Sequence, residues 1–368
     1  MAAFHDLEQV IKASIRQNGP MDVGSYMSLC LSHPEYGYYM KQDPFGKSGD
    51  FVTAPEVSQL FGEMLGAWCA DIWMQMGAPE RFMFLECGPG RGTLMADMMR
   101  STRMAKGFHA AAELHLLEIS PALKAKQKET LADYKVEWHA GLDTVPDDAP
   151  MIVIGNEFFD ALPFRSFQKQ SDGQWAERVV ALEGGGEQAG LCFGLRPLGV
   201  EMEGYIPFHL KGAQAGSIFE AAPVRQNVMR QIAERIKSQN GAALFLDYGH
   251  AQSGLGDSFQ ALKGHKYVDV LKFCGDADLT SHVDFEGLVQ GLDRLVDVRG
   301  AVEQGAFLCA LGIEVRMQML AQKISEQEAF ALQKGLQRLI ASDQMGALFK
   351  VVYMGALDGH RKIEPCGF

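Results

Sequence analysis

The chain has 368 residues, 47% of them hydrophobic, and a formal net charge of −12. This length suffices for one large domain with an insertion or for two domains. The acidic balance lacks the basic signature of nucleic-acid-binding proteins, so a nucleic acid is a disfavoured partner. No apolar run approaches the about 20 residues that a membrane-spanning helix requires, which argues against membrane insertion. The seven cysteines are scattered without a C-x-x-C pair, so we expect reduced thiols and neither a disulfide framework nor a zinc site.

The first residues bear on the location of the protein. The stretch M-A-A-F-H-D-L-E-Q-V-I-K has no basic start followed by an apolar stretch and a small-residue cleavage site. Its acidic residues are atypical of a mitochondrial transit peptide. We therefore expect a cytoplasmic protein.

Hydrophobic periodicity predicts the elements of the first 165 residues. Helices are expected at 4–18 and, as one amphipathic element closed by glycine, at 55–77. From residue 81, short apolar runs alternate with helix-like stretches, a rhythm typical of βαβ units and a parallel sheet. Strands are predicted at 82–87, 114–118, 135–139 and 151–155.

The second half of the chain first breaks this rhythm and then resumes it. Residues 166–220 are rich in glycine and in alternating segments, which predicts an inserted, β-rich subdomain. Beyond it we expect strands at 243–247 and 347–355 and a long helix near 314–341. The expected organisation is therefore an N-terminal helical segment at 1–80, an α/β core whose two halves are 81–165 and 221–368, and the insertion at 166–220 between these halves.

One short match is interpreted as a coincidence. Gly46-Lys47-Ser48 resembles the end of a phosphate-binding P-loop. The motif G-x-x-x-x-G-K-[ST] requires glycine at position 41, where the chain has Lys41, and no apolar strand precedes the segment. We interpret it as an ordinary loop.

A glycine-rich turn follows the strand predicted at 82–87. In E-C-G-P-G-R-G-T-L (86–94), Gly88, Gly90 and Gly92 stand between this strand and a predicted helix. Glycines in such a turn let the backbone approach a ligand closely. A purely structural glycine turn is the alternative.

Two residues of this turn narrow the choice of ligand. A dinucleotide fingerprint needs glycine at position 93, where the chain has Thr93. Glu86 precedes the glycines, and its carboxylate would repel a pyrophosphate but attract an ammonium group. S-adenosylmethionine carries an ammonium group beside a carboxylate that suits backbone N–H groups. The turn therefore favours this cofactor over a dinucleotide.

The next two strand ends are candidates for the nucleoside half of that cofactor. Glu118 ends the second apolar run and can accept hydrogen bonds from both hydroxyls of a ribose. The alternative is a carboxylate at a helix N-terminus before Pro121. Gly141 and Leu142 follow the third strand, where an adenine edge would lie, although a plain turn is nearly as well supported.

A loop rich in acidic and aromatic residues follows the fourth strand. The segment I-G-N-E-F-F-D-A-L-P (154–163) contains Asn156, Glu157 and Asp160. In an open α/β sheet, ligands bind at the carboxyl ends of the strands, so this loop would face the methyl donor. Two carboxylates among aromatic rings form an acidic, desolvated pocket for a cationic or proton-releasing acceptor. Capping carboxylates in a structural turn are the alternative.

Three polar residues downstream suggest a metal site only weakly. Asp247, His250 and His282 could be metal ligands, but they lack the tight spacing of such sites. A hydrogen-bond network is the favoured interpretation, and no metal is expected.

These residues belong to a set of motifs that covers nearly the whole chain. The set comprises H-P-E-Y-G-Y-Y (33–39), G-D-F-V-T-A-P-E-V-S-Q-L-F-G-E (49–63), E-C-G-P-G-R-G-T-L (86–94), N-E-F-F-D-A-L-P (156–163), L-D-Y-G-H (246–250), D-L-T-S-H-V-D-F (278–285) and Q-G-A-F-L-C-A-L-G-I (304–313). With them the chain resembles the MidA-like methyltransferase family, which includes a mitochondrial complex I assembly factor described as a protein arginine methyltransferase.

The resemblance implies a fold and a cofactor. The fold would be the Rossmann-like class I methyltransferase fold: a seven-stranded, mostly parallel sheet with an antiparallel last strand and an added subdomain. The cofactor would be S-adenosyl-L-methionine, with the N-terminal T-A-P-E segment packed over it. Thr53 thereby becomes a candidate cofactor-binding residue and Glu56 a candidate site residue.

The resemblance also implies a reaction, N-methylation of arginine in a protein substrate such as a respiratory complex subunit. Glu157 and Asp160 would be the catalytic carboxylates, which bind the guanidinium and accept its proton. A homodimer is a further expectation.

One rival function is that of a non-catalytic assembly chaperone that keeps the cofactor site and binds a partner through the insertion. Methylation of nucleic-acid amino groups ranks lower, because such enzymes carry a neutral N-P-P-aromatic loop. A nicotinamide-dependent oxidoreductase ranks lowest.

Overall fold

The N-terminal region consists of short helices and one very short strand. The computed structural model describes residues 4–41, 53–186, 189–357 and 363–368, so Gly46-Lys47-Ser48 and the first four residues of G-D-F-V-T-A-P-E lie outside the described residues. The first elements are α1 Phe4–Asn18, β1 Met21–Asp22, α2 Val23–Ser32, α3 Tyr38–Lys41, α4 Ala54–Val57 and α5 Gln59–Gln75.

The helix predicted at 55–77 is divided into α4 and α5. Ser58 has an extended backbone, with φ −161° and ψ 135°, and its side chain accepts a hydrogen bond from the Leu60 amide. Serine is a favoured N-cap because its oxygen satisfies an amide that has no partner in the helix. Capping at Ser58 thus overrides the apolar periodicity on which the prediction of a single helix rested.

The first half of the core alternates strands and helices as predicted. Its elements are β2 Phe82–Cys87, α6 Thr93–Ser101, α7 Phe108–Ala111, β3 Ala112–Leu117, α8 Pro121–Thr130, β4 Val136–His139 and β5 Met151–Asn156. The region predicted to be inserted follows as β6 Arg165–Lys169, β7 Trp175–Glu183, β8 Gly190–Pro197, α9 Val200–Glu203 and β9 Ile218–Ala221.

The remaining elements complete the sheet and add a helical cluster. They are α10 Pro223–Gln239, β10 Ala242–His250, β11 Gln260–Lys263, β12 Lys266–Val268, β13 Asp278–Thr280, β14 Val283–Asp284, α11 Phe285–Val289, β15 Asp297–Glu303, α12 Gln304–Ala310, α13 Ile313–Ala321, α14 Glu326–Ile340, α15 Met345–Leu348 and β16 Phe349–Gly355. The long helix predicted near 314–341 is therefore two helices. Ser325 and Glu328 form a capping box that begins α14, so the single helix predicted from apolar periodicity is interrupted before this point.

The central sheet has the strand order β15-β16-β10-β5-β2-β3-β4, with β14 paired to β10. The strands β10, β5, β2, β3 and β4 are mutually parallel, whereas β16 is antiparallel to both of its neighbours. The prediction of a seven-stranded, mostly parallel sheet with an antiparallel last strand is confirmed. The chain reverses its direction of travel across the sheet between β2 and β5, and ligands bind at such switch points.

Helices cover both faces of this sheet. Phe84 and Leu244 are buried on the face that packs against α5 and α6, and Leu85 and Phe245 on the face that packs against α10. All six residues of β2 and of β5 are buried. Continuous burial is expected of parallel strands that are covered on both sides.

A second, antiparallel sheet joins the predicted insertion to the N-terminal segment. Its order is β1-β7-β6-β9, with β8 paired to β7, and Met21 of β1 lies opposite Val180 of β7. A third sheet has the order β12-β11-β13. The division at residues 80, 165 and 220 stays a prediction. Within the described ranges, no helix is long and apolar enough to cross a membrane.

The helix that carries the end of the glycine-rich turn is held by close backbone packing. A Cβ atom added to Gly62 of α5 would lie 2.4 Å from the Asp97 Cβ of α6, and one added to Gly66 would lie 2.8 Å from the Met98 carbonyl oxygen. Glycines four residues apart form one face of a helix. Their lack of side chains allows α6 to lie directly against α5.

We predict that Gly66→Ala lowers the free energy of unfolding by about 1–3 kcal/mol, because the new methyl group must displace backbone atoms of α6. The measurement is denaturant unfolding followed by circular dichroism. Gly212→Ala is the matched control, because a Cβ at this exposed position meets nothing within 4 Å. Equal stability of the two variants would contradict the packing argument.

Candidate functional site

The turn after β2 brings glycine backbone and a buried carboxylate together. Gly88, Gly90 and Gly92 have φ values of 65°, 51° and 82°, in the left-handed region that favours glycine. Glu86 is 2% exposed, and burial raises its pKa to about 8 although the Met95 amide donates a hydrogen bond to it. Its Oε2 has no hydrogen-bond partner among the described residues. The charged form of this carboxyl group therefore requires a further positive or hydrogen-bonding partner at Oε2.

Two adjoining cavities, each of about 340 Å³, lie at the carboxyl ends of the central strands. Tyr39, Gly88, Gly90 and Glu157 line both of them. The first cavity also contains Thr53, Glu56, Glu86, Asn156 and Asp160, and the second also contains Glu118, Gly141 and Leu142. The fold thus assembles nearly all of the predicted site residues in one continuous cleft.

Gly92 is the predicted site residue that lines neither cavity. It is the N-cap of α6, and a Cβ atom at this position would lie 3.4 Å from Leu131 and 3.5 Å from Gln127, on the side of α8. Its position forms the turn, whereas Gly88 and Gly90 present their backbone to the cleft.

Glu118 lies at the wall of the second cavity, tied to the glycine-rich turn. Its Oε1 accepts a hydrogen bond from the Ser120 amide at 2.7 Å, and its Oε2 accepts one from Gln127 Nε2 at 3.0 Å. Gln127 Nε2 also donates to the Gly90 carbonyl oxygen at 2.7 Å. Burial raises the pKa of Glu118, partly offset by these hydrogen bonds. Gln127 was missed by sequence reasoning, because nothing in its helix distinguishes it from a surface glutamine.

Glu157 lies between the two cavities in a strained backbone conformation. Its φ of 52° is uncommon for a residue other than glycine and is typical of functional sites. Its Oε1 accepts hydrogen bonds from Asn156 Nδ2 at 2.9 Å and from the Ala54 amide at 3.2 Å. Burial, together with the charge of Asp160, raises the pKa of Glu157 to about 7. The Asn156 Oδ1 is a second buried acceptor without a partner among the described residues.

Asp160 is fixed more tightly than Glu157. Its Oδ2 accepts a hydrogen bond from the Tyr248 hydroxyl at 2.7 Å, and its Oδ1 accepts one from the Ala161 amide at 2.8 Å. Burial raises its pKa, although these hydrogen bonds and the charge of Arg225 act in the opposite direction.

Asp247 and Arg225 bind the backbone of the acidic loop. The Asp247 Oδ2 accepts hydrogen bonds from the amides of Phe159 and Asp160 at 2.9 and 3.2 Å, in the kind of network that the sequence favoured over a metal site. The buried Arg225 of α10 donates to the carbonyl oxygens of Asp160 and Leu162. No sequence signal pointed to Arg225, because its helix reads as an ordinary amphipathic one.

The N-terminal segment contributes the outer wall of the cleft. The Thr93 hydroxyl donates a hydrogen bond to Glu56 Oε1 at 2.8 Å, which places α4 against the glycine-rich turn. The Tyr39 hydroxyl donates to Asp278 Oδ1 at 2.9 Å, and both residues line the first cavity. Sequence reasoning missed Tyr39 and Asp278, although both stand within motifs that carry the family resemblance.

Comparison with known proteins places this cleft in a family. Residues 64–301 match the family described as "Putative S-adenosyl-L-methionine-dependent methyltransferase". The chain belongs to this methyltransferase family. A protein from Burkholderia thailandensis, solved in complex with S-adenosyl-homocysteine, has a TM-score of 0.83 and 26% identity over 98% of this chain and 94% of that one.

Curated relatives match along nearly the whole chain. The mitochondrial protein arginine methyltransferase NDUFAF7 homolog of Drosophila melanogaster is 36% identical over 98% of this chain and 87% of its own length. Mitochondrial NDUFAF7 of Mus musculus is 35% identical over 95% of this chain and 84% of its own length. The predicted family, fold class and cofactor are confirmed: the chain is an S-adenosyl-L-methionine-dependent methyltransferase. The predicted cytoplasmic location is wrong, because these relatives are mitochondrial proteins.

The residues of the cleft fit S-adenosyl-L-methionine. Glu86 Oε2 and Asn156 Oδ1 are buried acceptors that lack donors among the described residues, and the methionine part of the cofactor supplies an ammonium group. The cofactor, when bound, supplies an electrophilic methyl group on a sulfonium centre. The second cavity, with Glu118, Gly141 and Leu142, offers a largely apolar space of nucleoside dimensions.

The buried Glu86 predicts a pH dependence of stability in the cofactor-free protein. Its pKa is raised from 4.5 to about 8 on folding, so its contribution to stability is fully present below pH 4.5 and is lost as the pH rises through 8. Between pH 7 and 8.5 this loss amounts to about 1 kcal/mol.

We therefore expect Glu86→Gln to lose less stability than the wild type between these two pH values, measured by denaturant unfolding without cofactor. Glu129→Gln, at an exposed position on α8, is the control that keeps the wild-type slope. An unchanged slope in Glu86→Gln would show that Glu86 ionises normally.

Proposed function

We propose that this methyltransferase transfers the methyl group of S-adenosyl-L-methionine to a nitrogen atom of an arginine side chain in a protein. The observation that carries the proposal is the excess of carboxyl groups over cationic side chains in the first cavity, which Arg91 and Arg338 also line. Beyond Glu86, which is assigned to the cofactor, this cavity contains Glu157, Asp160 and Asp278. A guanidinium ion supplies positive charge and several N–H donors in one plane, which suits such a group of carboxylates. The names of the NDUFAF7 relatives support the same acceptor.

In this proposal different residues of the cleft bind different parts of the cofactor. Glu86 and Asn156 bind the ammonium group, and the backbone of Gly88 and Gly90, with Thr53, lies along the methionine part. Glu118 accepts hydrogen bonds from the ribose hydroxyls. Gly141 and Leu142 lie along the adenine edge. Gly92 contributes through the geometry of the turn.

The acidic loop prepares the acceptor nitrogen. Guanidinium is protonated at neutral pH, so its nitrogen lone pairs are delocalised. Glu157 and Asp160 bind N–H groups and draw the positive charge towards two nitrogen atoms, which leaves the third more nucleophilic. Glu157 has a pKa of about 7, which suits a group that accepts a proton near neutral pH. Asp160, fixed by Tyr248, acts as the orienting carboxylate.

The family resemblance implies a respiratory complex subunit as the protein substrate, and the mitochondrial location named for the relatives is consistent with it. A homodimer stays a prediction, which sedimentation equilibrium checks.

The substrate can be found by incubating the enzyme with a radiolabelled methyl donor and fractionated cell extract, followed by mass spectrometry of the labelled species. The proposal requires label on arginine in a protein. Label in RNA would favour the nucleic-acid alternative, and absence of any label would favour a chaperone.

For the cofactor, we predict that Glu118→Ala weakens S-adenosyl-L-methionine binding by about 10- to 100-fold, because hydrogen bonds to a charged acceptor are lost. Isothermal titration calorimetry measures the affinity directly. The matched control is Glu129→Ala on the adjoining helix α8, whose exposed side chain lines neither cavity. An unchanged affinity in Glu118→Ala would exclude the ribose role.

For the reaction, we predict that Glu157→Gln and Asp160→Asn lower kcat by about 100-fold or more, because a neutral amide cannot localise the charge of the guanidinium or accept its proton. Cofactor affinity should change by less than about 10-fold. Single-turnover methyl transfer to an arginine-containing peptide found in the labelling experiment measures the first quantity, and calorimetry the second. Glu326→Gln, exposed in the first turn of α14, is the control. Wild-type kcat in both variants would remove the acidic loop from the mechanism.

A further inference from the structure

A buried pair of histidines lies on the edge of the central sheet, outside both cavities. His115 of β3 and His139 of β4 are 2% and 7% exposed, and His115 Nδ1 lies 2.9 Å from His139 Nε2. Glu137 of β4 lies opposite His115 in the strand register. One ligand atom from each of these three residues lies within 4.8 Å of the other two. Two imidazoles and a carboxylate form a donor set that divalent zinc prefers.

The hydrogen bonds around the pair fix where the protons are. The Thr144 hydroxyl donates to the Gly141 carbonyl oxygen at 2.8 Å, so His139 Nδ1 must donate to Thr144 Oγ1, at 3.2 Å. His139 Nε2 is then an acceptor, and His115 Nδ1 donates to it. His115 Nε2 is left as a buried lone pair without a partner among the described residues. Burial lowers the pKa of both imidazoles, which is consistent with neutral rings.

The hydrogen bond from His139 Nδ1 to Thr144 is of the kind that metal-binding histidines make. Metal-binding histidines typically donate their other ring N–H to an oxygen atom, which fixes the tautomer and the ring orientation. His139 donates Nδ1–H to Thr144 and presents the Nε2 lone pair towards His115. A zinc ion bound tetrahedrally by two imidazole nitrogens at 2.0–2.1 Å separates them by about 3.3 Å. The present N–N separation of 2.9 Å is shorter than this value, so both rings must turn out of their mutual hydrogen bond for the two nitrogens to face one ion.

We propose that His115, Glu137 and His139 form a binding site for a divalent transition metal ion of the zinc class. His115 shifts its ring proton from Nδ1 to Nε2, so the net charge of the imidazole does not change on binding. Glu137 is exposed at the edge strand, and its 4.0 Å ion pair with Lys135 is too weak to hold it. The open side of the site leaves room for water as the fourth ligand.

The site adjoins the second cavity, and three cationic side chains act on its histidines: Arg81 on His115, and Arg235 and Lys124 on His139. Arg81, whose charge acts on His115, is itself paired with Glu113 and Asp148. The His139 carbonyl oxygen accepts a hydrogen bond from the Glu118 amide at 2.9 Å, and Gly141 follows two residues later. A bound ion would therefore fasten β4 and the loop that forms one wall of the second cavity. This proposal does not depend on the acceptor of the methyl group.

The site was not predicted from the sequence, because its histidines are 24 residues apart and belong to different strands. Pairing of β3 with β4 brings them together, which no local spacing reveals. The expectation that the chain has no metal site stays a prediction, and the proposed site is the alternative to it.

Titration of zinc chloride into the chelator-treated full chain tests the proposal. We expect one saturable site by calorimetry and a rise in Tm on binding. Glu137→Gln, at an exposed position that does not affect folding, should weaken the affinity at least about 10-fold, as should His115→Ala. Glu129→Gln should bind as the wild type does. Absence of saturable binding, or equal affinity in Glu137→Gln and the wild type, would overturn the proposal.

Cobalt(II) identifies the donor atoms in the same protein, since exposed Cys309 and Cys366 offer competing thiolates. We expect visible absorption bands of tetrahedral or five-coordinate cobalt without the near-ultraviolet charge-transfer band of a thiolate, and loss of these bands in His115→Ala. A thiolate band, or a spectrum unchanged in His115→Ala, would assign the metal to another site and contradict the proposal.

Discussion

The burial of several carboxyl groups in one cleft is the constraint on which this structure depends. Four carboxylates meet at the carboxyl ends of the central strands: Glu86, Glu157, Asp160 and Asp247. Burial raises the pKa of each one. A folded protein keeps such groups close together only at a cost in stability. Ligands that carry positive charge offset this cost when they bind, so the carboxyl groups that destabilise the protein also make the cleft selective for cationic ligands.

The surrounding residues fix the backbone of the acidic loop rather than neutralise the charge of its carboxylates. Asp247 accepts hydrogen bonds from amides of the acidic loop, and Arg225 donates hydrogen bonds to its carbonyl oxygens. Arg225 therefore binds mainly backbone atoms of the loop, and Tyr248 orients the side chain of Asp160. In this way the loop is rigid while its carboxylates stay available to a ligand. Preorganised polar groups in a desolvated cleft are the arrangement that electrostatic catalysis requires.

Much of the fold and part of the site could be predicted because their signals are local. Glu86 lies near the end of a strand with a clear apolar run, the glycines follow that strand, and the acidic loop follows another. Ser58 and Ser325 show the limit of periodicity, since one capping hydroxyl ends a helix that the apolar pattern would continue. Arg225, Gln127 and the histidine pair were missed for a different reason. Their roles arise from contacts between distant segments, which leave no pattern in the chain.

The central claim is that Glu86 is held protonated by burial until the ammonium group of the cofactor ionises it. The most direct measurement is calorimetry of S-adenosyl-L-methionine binding at pH 7 in buffers of different ionisation enthalpy, which counts the protons exchanged. With a pKa of about 8, Glu86 is mostly protonated at this pH, so binding should release nearly one proton. Glu86→Gln should release markedly less. Binding without proton release in the wild type, or the same release in both proteins, would contradict this account.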